Sequence, residues 1–294
     1  MTLPDHVVCL SVDFDGLAIW LQLDPTLSPT RLARAEFAGR FGLPRMLDLF
    51  AEQGIRCTVF VPGHTVRMFP AVTRRALAEG HEIGHHGYLH RNPPGLTRQE
   101  ERTEFELARQ AYEEVLGIAP RGYRAPGGDL SQNSIELALE FGIDYDASSQ
   151  GSDVGPYYAR GADSFGPAGQ IRFGEAVDVV EIPSLPSMID VPQMEFLVNP
   201  PMPGLHAYEK ITRMWCDELD WMLHNTSRGV LTLVLHPTTA PKGARMRVLT
   251  DFIRHARASG VGFATMSQVA DDFRRREPFS GLHLMSAQLR GAEN

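Results

Sequence analysis

Asp13 and Asp15 stand one residue apart in V-D-F-D-G (12–16), directly after the apolar run 6–11. Alternate side chains of a strand share a face, so the two carboxylates point to one side. Such a pair can hold a metal, serve as nucleophile and acid toward a phosphate, or cap a turn. Four of the eleven histidines fall in H-E-I-G-H-H-G-Y-L-H (81–90). If the chain coils, His86 and His90 lie roughly 6 Å apart along its axis, and metal–nitrogen bonds of about 2.1 Å can meet at one ion. In an extended strand the same spacing is about 13 Å, too far for chelation. Gly87 permits the required turn. His81 and His85 share the spacing, but the stretch between them reads as strand and holds them apart. Adding Asp15 gives two neutral imidazoles and one carboxylate with a position left for water. That set suits one catalytic divalent metal, with Zn2+ the first expectation. Two more segments carry polar groups after apolar ones. R-G-Y-R-A-P-G-G (121–128) sets Arg124 beside Gly127 and Gly128, whose backbone N–H groups are open, and L-T-L-V-L-H (231–236) ends in His236.

These residues need elements to place them. Strand-like runs at 6–14, 57–62, 82–86, 122–126, 144–149, 178–183, 229–237 and 261–266 alternate with helical patterns. The helices fall at 31–52, 66–79, 97–116, 133–141, 207–225 and 246–259. Residues 151–173, rich in Gly, Ser, Tyr and Pro, read as an excursion, and 184–203 as a proline-rich loop. The alternation predicts an α/β fold with a parallel sheet, and seven or eight units suggest a (β/α) barrel. No composition break divides the chain, so one catalytic domain over 1–294 is expected, with a core at 6–273 and a peripheral arm at 274–294. Each polar segment follows the C-terminal end of a strand, where parallel barrels assemble their sites.

The 294 residues carry 28 basic and 36 acidic side chains, a formal charge of −8, which argues against nucleic acid or an anionic membrane as partner. No apolar run is long enough to span a bilayer. The first residues, M-T-L-P-D-H, lack the pattern of a secretion signal, and a cytoplasmic location is expected. Cys9, Cys57 and Cys216 are scattered, and the first two fall in expected core strands, where they read as small buried hydrophobes.

Taken in order, V-D-F-D-G, H-G-Y-L-H, R-A-P-G, a later acidic motif and L-V-L-H resemble the landmarks of the polysaccharide deacetylase (NodB-homology) family over about residues 6–273. Longer pieces, D-G-L-A-I-W, F-V-P-G-H, H-G-Y-L-H-R-N-P, P-Y-Y and D-V-P-Q-M, are similar to its cytoplasmic branch of Helicobacter-type peptidoglycan deacetylase homologues and bacterial cyclic imide hydrolases. The resemblance implies a distorted barrel of about seven strands and, for this branch, a homotetramer. It implies Asp13 as general base and Asp15 with His86 and His90 as metal ligands. It further implies His236 as general acid, Arg124 as the group holding Asp13, and the Gly127 N–H as an oxyanion donor. Asp190 or Asp146 would orient His236, with Asp190 ranked first.

Three departures bear on the substrate. Phe14 separates aspartates that are adjacent in the common motif. Gly87 stands where Ser or Thr is usual. Gly127 replaces an aromatic that would lie against a sugar ring. With no export signal, a small intracellular cyclic imide or amide is the expected substrate, with an N-acetylated sugar as alternative. Trp20, His64 and the 184–203 loop are candidates for lining the pocket. A haloacid dehalogenase-type phosphatase also opens on D-x-D-G, but Lys210 and Lys242 are the only lysines and neither is suitably spaced for that chemistry.

Overall fold

The computed structural model describes residues 2–23, 28–161, 163–197 and 202–281. Strand β1 (His6–Asp13) is buried along almost its whole length, as a strand covered on both faces must be. Its side chains alternate between two surroundings. Val8, Leu10 and Val12, followed by Phe14, join the helix residues Leu47, Phe50 and Phe252 in one apolar cluster. Val7 and Cys9 instead join Phe60, Tyr145 and Val180 in another. Ser11 and Asp13 follow on that second side of the strand and are also buried, so it turns polar toward the strand's C-terminal end.

Around β1 the strands β2 (Thr58–Val61), β3 (Glu82–His85), β4 (Gly122–Tyr123) and β5 (Tyr145–Asp146) follow in chain order. With β6 (Tyr157–Arg160), β9 (Ala176–Glu181) and β12 (Gly229–Leu235) they form the order β12-β1-β2-β3-β4-β5-β9-β6. Every pairing from β12 to β9 is parallel, seven strands in succession, and β6 adds antiparallel to β9. β13 (Gly262–Phe263) pairs with the start of β1. Two small antiparallel pairs lie apart, β7 (Ser164–Phe165) with β8 (Ile171–Arg172) and β10 (Phe196–Leu197) with β11 (Met202–Pro203). Among the described residues, the free side of β12 meets a parallel bridge from Ile189 to Val234 and a bond from Val230 N–H to the Val154 carbonyl. Irregular backbone therefore spans the seam, which accounts for the barrel's distortion.

Several elements differ from their expected bounds. β4 and β5 are two residues each, because Pro126 and the left-handed Gly127 (φ 75) turn the chain and Ser148 N–H bonds to the Asp146 and Glu181 side chains. The helix expected at 66–79 is divided into Gly63–Met68 and Pro70–Ala78 by Pro70, which donates no backbone hydrogen bond. The helix expected at 31–52 contains a π turn at Ala38–Gly42. The expected arm starts inside the helix Met266–Arg276, where Arg274 pairs with Asp178 and Asp144. The rest of that arm, 282–294, and residues 198–201 of the proline-rich loop lie outside the described residues. Cys9 and Cys57 are free and buried.

Candidate active site

Asp15, His86 and His90 are all buried, and one ligand atom from each lies within 4.8 Å of the others. Asp15 follows β1. His86 is the first residue beyond β3, and the chain then coils as its glycine permits: Gly87 has φ 66 and His90 itself φ 57. For a non-glycine residue that conformation is costly and needs support. The support comes from Glu104, a buried side chain on the helix Arg98–Leu116, whose Oε2 accepts from the backbone N–H groups of Tyr88 (2.9 Å) and Leu89 (2.8 Å).

The tautomer of His86 is set by its other side. Its Nδ1 lies 2.7 Å from the Arg124 carbonyl, which can only accept, so Nδ1 carries the proton. Nε2 then presents a lone pair to Asp15 Oδ1 at 3.4 Å. His90 Nε2 stands 3.6 Å from the same oxygen. Asp15 Oδ1 is buried without a hydrogen bond. Two acceptors facing each other in a buried site call for a cation between them, and an N, N, O donor set fits a divalent metal. The side-chain amide of Gln22 lies 2.9 Å from His90 Nδ1 and can accept from it or, turned over, donate to it. Burial lowers the His90 imidazolium to about 4, against the pull of Asp15, so it is neutral at ordinary pH. Burial pushes the Asp15 carboxyl up, but in acid the protonated imidazoles of His90, His86 and His236 outweigh it and hold it at about 2.

His236 closes β12 and sits in a different electrostatic setting. Its Nδ1 is 2.7 Å from Asp190 Oδ1, and its backbone N–H donates to Asp190 Oδ2 at 2.8 Å. Asp190 is fully buried, and the Ile189–Val234 bridge delivers it there. His236 Nε2 faces Asp15 Oδ2 at 3.9 Å. Burial pushes the imidazolium down, but Asp190, with Asp15 and Asp13 beyond it, reverses this and raises it to about 9. Asp13 lies beside these groups. Its Oδ1 accepts from Arg124 Nη1 at 2.6 Å. The same nitrogen donates to Ser11 Oγ at 2.9 Å, and Arg124 Nε donates to the Ala147 carbonyl at 3.0 Å.

The structure thus brings Asp13, Asp15, His86, His90, Arg124, Asp190 and His236 into one mouth. A cavity of about 360 Å³ opens on it, lined by Asp15, His90 and His236 together with Trp20 and Gly127. His64 is not on that lining; its ring stands edge-on to Tyr88 with centroids 6.2 Å apart. Asp146 pairs across the sheet with Glu181 instead of reaching His236. Burial raises both carboxyls, and Glu181 is raised further by Asp146. His81 and His85 stay apart: His81 accepts from Cys57 N–H, and His85 stacks on Phe105 at 4.6 Å and is lowered to about 3 by burial. Ser11, two residues before Asp13 on the same strand face, also bonds Arg124, and the i, i+2 alternation is the signal that marks it. Nothing in the local sequence marks Glu104 or Gln22.

A polysaccharide deacetylase family profile matches residues 39–145. Over 286 residues the chain is 32% identical to the peptidoglycan deacetylase of Helicobacter pylori, covering 92% of this chain and 97% of that protein. The chain belongs to the polysaccharide deacetylase family. This family places it among hydrolases of C–N bonds. A peptidoglycan deacetylase-like protein of Gibberella zeae is 30% identical over 90% of this chain and 86% of its own length. A solved structure assigned to the polysaccharide deacetylases, from Mycobacterium smegmatis, superposes with a TM-score of 0.83 at 28% identity over 97% of both chains. An allantoinase shares the deacetylase fold, with a TM-score of 0.75 at 20% identity over 94% of this chain and 92% of its own. Among the described residues no helix is long and apolar enough to cross a membrane.

Proposed function

We propose that the protein hydrolyses the C–N bond of a small amide or cyclic imide, with Asp15, His86 and His90 holding one divalent metal. The observation that carries this reading is the convergence of a buried acceptor set, one carboxylate tied to arginine and one cationic histidine on a single cavity of about 360 Å³. That volume is at the small end of ligand pockets. The metal, when bound, supplies Lewis acidity that activates water and polarises a carbonyl.

The chain's own groups do the rest. Asp13 accepts one proton from the attacking water as the new C–O bond forms, while Arg124 keeps its carboxylate in position. Gly127, on the cavity lining, offers its N–H to the developing oxyanion. His236 gives its Nε2 proton to the nitrogen as the C–N bond breaks, because an amide anion is a very poor leaving group. Asp190 holds the imidazole by Nδ1 and favours its charged form. One water is consumed, and the products are an acid and an amine or amide.

A second reading, removal of an acetyl group from an N-acetylated sugar, is favoured by the likeness to the Helicobacter pylori protein along nearly the whole chain. A hydrolysis panel on metal-loaded protein separates the two. Succinimide, glutarimide, hydantoin, dihydrouracil and allantoin are set against N-acetylglucosamine oligomers. Turnover within the first group is expected, and turnover of the oligomers alone overturns the small-substrate reading.

A further inference from the structure

The cavity at the mouth has one wall whose charges the proposed reaction does not use. Arg34, on the helix Pro29–Phe37, lines the cavity half-buried. No acid among the described residues pairs with it, and its guanidinium lies over the Trp20 ring, 5.6 Å from the centroid. Other partly buried arginines are matched: Arg75 bonds Asp48 and Glu79, and Arg160 bonds Asp163. Lys242, also on the lining, shares the single carboxylate of Glu195, at 3.5 Å, with Arg245 at 2.6 Å. Two cations therefore share one carboxylate, and Arg34 adds a third positive charge with no carboxylate of its own. Burial first, and then repulsion from Arg34 and Arg245, lower the Lys242 ammonium against the pull of Glu195. Asp15 belongs to the ligand set, and the remaining lining acid, Asp129, is exposed on the Gly127 loop.

A second observation points the same way. Two other lining residues carry buried polar atoms without partners: the indole N–H of Trp20, 6% exposed, and Thr239 Oγ1, on a residue 0% exposed. Buried donors are nearly always satisfied, so their partner is to be sought in what enters the cavity. An acceptor that also carries negative charge would answer both the donors and the surplus cations.

We infer that this wall binds a carboxylate on the substrate, with Arg34 and Lys242 as its cationic partners and Trp20 and Thr239 as hydrogen-bond donors. The inference rests on the amide-hydrolase reading for the reaction and adds the substrate class: a small amide or imide bearing a carboxylate. The wall then sets preference among substrates, while Asp13 and His236 act on the scissile bond.

The test uses matched pairs differing in one charge, 5-carboxymethylhydantoin against 5-methylhydantoin and N-acetylglycine against N-acetylglycinamide. Turnover and calorimetric binding are both measured on metal-loaded protein. Wild type should favour the charged member of at least one pair by roughly tenfold or more in kcat/KM and in Kd. Arg34→Met and Lys242→Met should each erode that ratio by about tenfold, chiefly through KM, with metal content and melting temperature showing that each variant is folded. Equal binding of charged and neutral members, or an unchanged ratio in both folded variants, overturns the carboxylate wall even if hydrolysis is robust. Carboxylate-dependent binding that is lost in the variants, without turnover of either pair, keeps the wall and counts against the hydrolase reading instead.

Discussion

The loop after β3 and the end of β12 present the same side chain to the same aspartate and give it opposite character. His86 and His90 are reached through left-handed backbone at Gly87 and His90, braced by Glu104. On their Nδ1 sides they meet neutral groups, the Arg124 carbonyl and the Gln22 amide. His236 lies at the end of a regular strand and meets the buried carboxylate of Asp190. Burial alone drives an imidazole toward neutrality, and it takes His90 to about 4. A carboxylate at 2.7 Å outweighs burial and raises His236 to about 9. The group behind the ring thus decides whether a buried histidine is a Lewis base or a proton donor.

The largest effects should come from breaking the loop side. Asp15→Asn or His90→Ala should weaken metal binding by more than about 100-fold, beyond what loss of an outer partner costs, and abolish turnover with it. Elemental analysis after dialysis should find about one ion per chain in wild type and a small fraction of that in either variant. Normal occupancy in His90→Ala would reassign the ligands.

Asp13→Asn should retain the metal while kcat falls by about 10²- to 10⁴-fold, the usual range for a general base. Wild-type turnover in that variant would remove Asp13 from the mechanism.

On the strand side, Asp190→Asn should cost about 10- to 100-fold in kcat. In metal-free protein it should also move the His236 titration from about 9 toward the ordinary value of about 6.5, as followed by NMR of the ring. The sign for stability follows from the raised value. The contribution of His236 is fully present below about 6.5, the unfolded value, and is lost as pH rises through about 9. Denaturant titrations of the metal-free protein should show that decline in wild type, and a matching slope in Asp190→Asn would discard the account.

The smallest effect is expected away from both regions. Glu181 accepts from the Ser148 and Ser149 N–H groups through Oε1, and burial and the neighbouring Asp146 raise its carboxyl. Because its carboxyl is raised, the pair costs stability as pH climbs above the unfolded carboxylate range. Glu181→Gln keeps the two accepted bonds and supplies a permanent donor to Asp146. Its melting temperature should match wild type near pH 5 and equal or exceed it near pH 8, and a large loss at both would contradict the raised carboxyl.

Much of the mouth was legible because it depends on short-range geometry. The i, i+2 alternation of β1 put Asp13 and Asp15 together, and the four-residue spacing of His86 and His90 with glycine between specified a coil. The apolar run before His236 marked a strand end. The parallel barrel followed from alternating periods of two and 3.6 residues, since only a sheet covered by helices buries both. The bounds of β4 and β5 were less legible, because Ser148 bonds to a side chain that arrives from β9.

Other features had no local signature. Asp190 lies 46 positions from His236 and reaches it through one bridge across the seam of the barrel. The resemblance offered Asp190 first and Asp146 second for this place, and packing divided them, giving Asp146 to Glu181. Glu104 is one acid among several on an amphipathic helix until the fold sets it against the Tyr88 and Leu89 N–H groups. Arg34 and Lys242 are ordinary surface residues by type, and only the tertiary arrangement puts them on one cavity. Residue types and spacing carry the chemistry a chain can attempt, because they depend on bond lengths and helical or strand repeats. Which charges face one another across hundreds of positions is decided by burial and strand order, and those decide protonation and the choice of substrate.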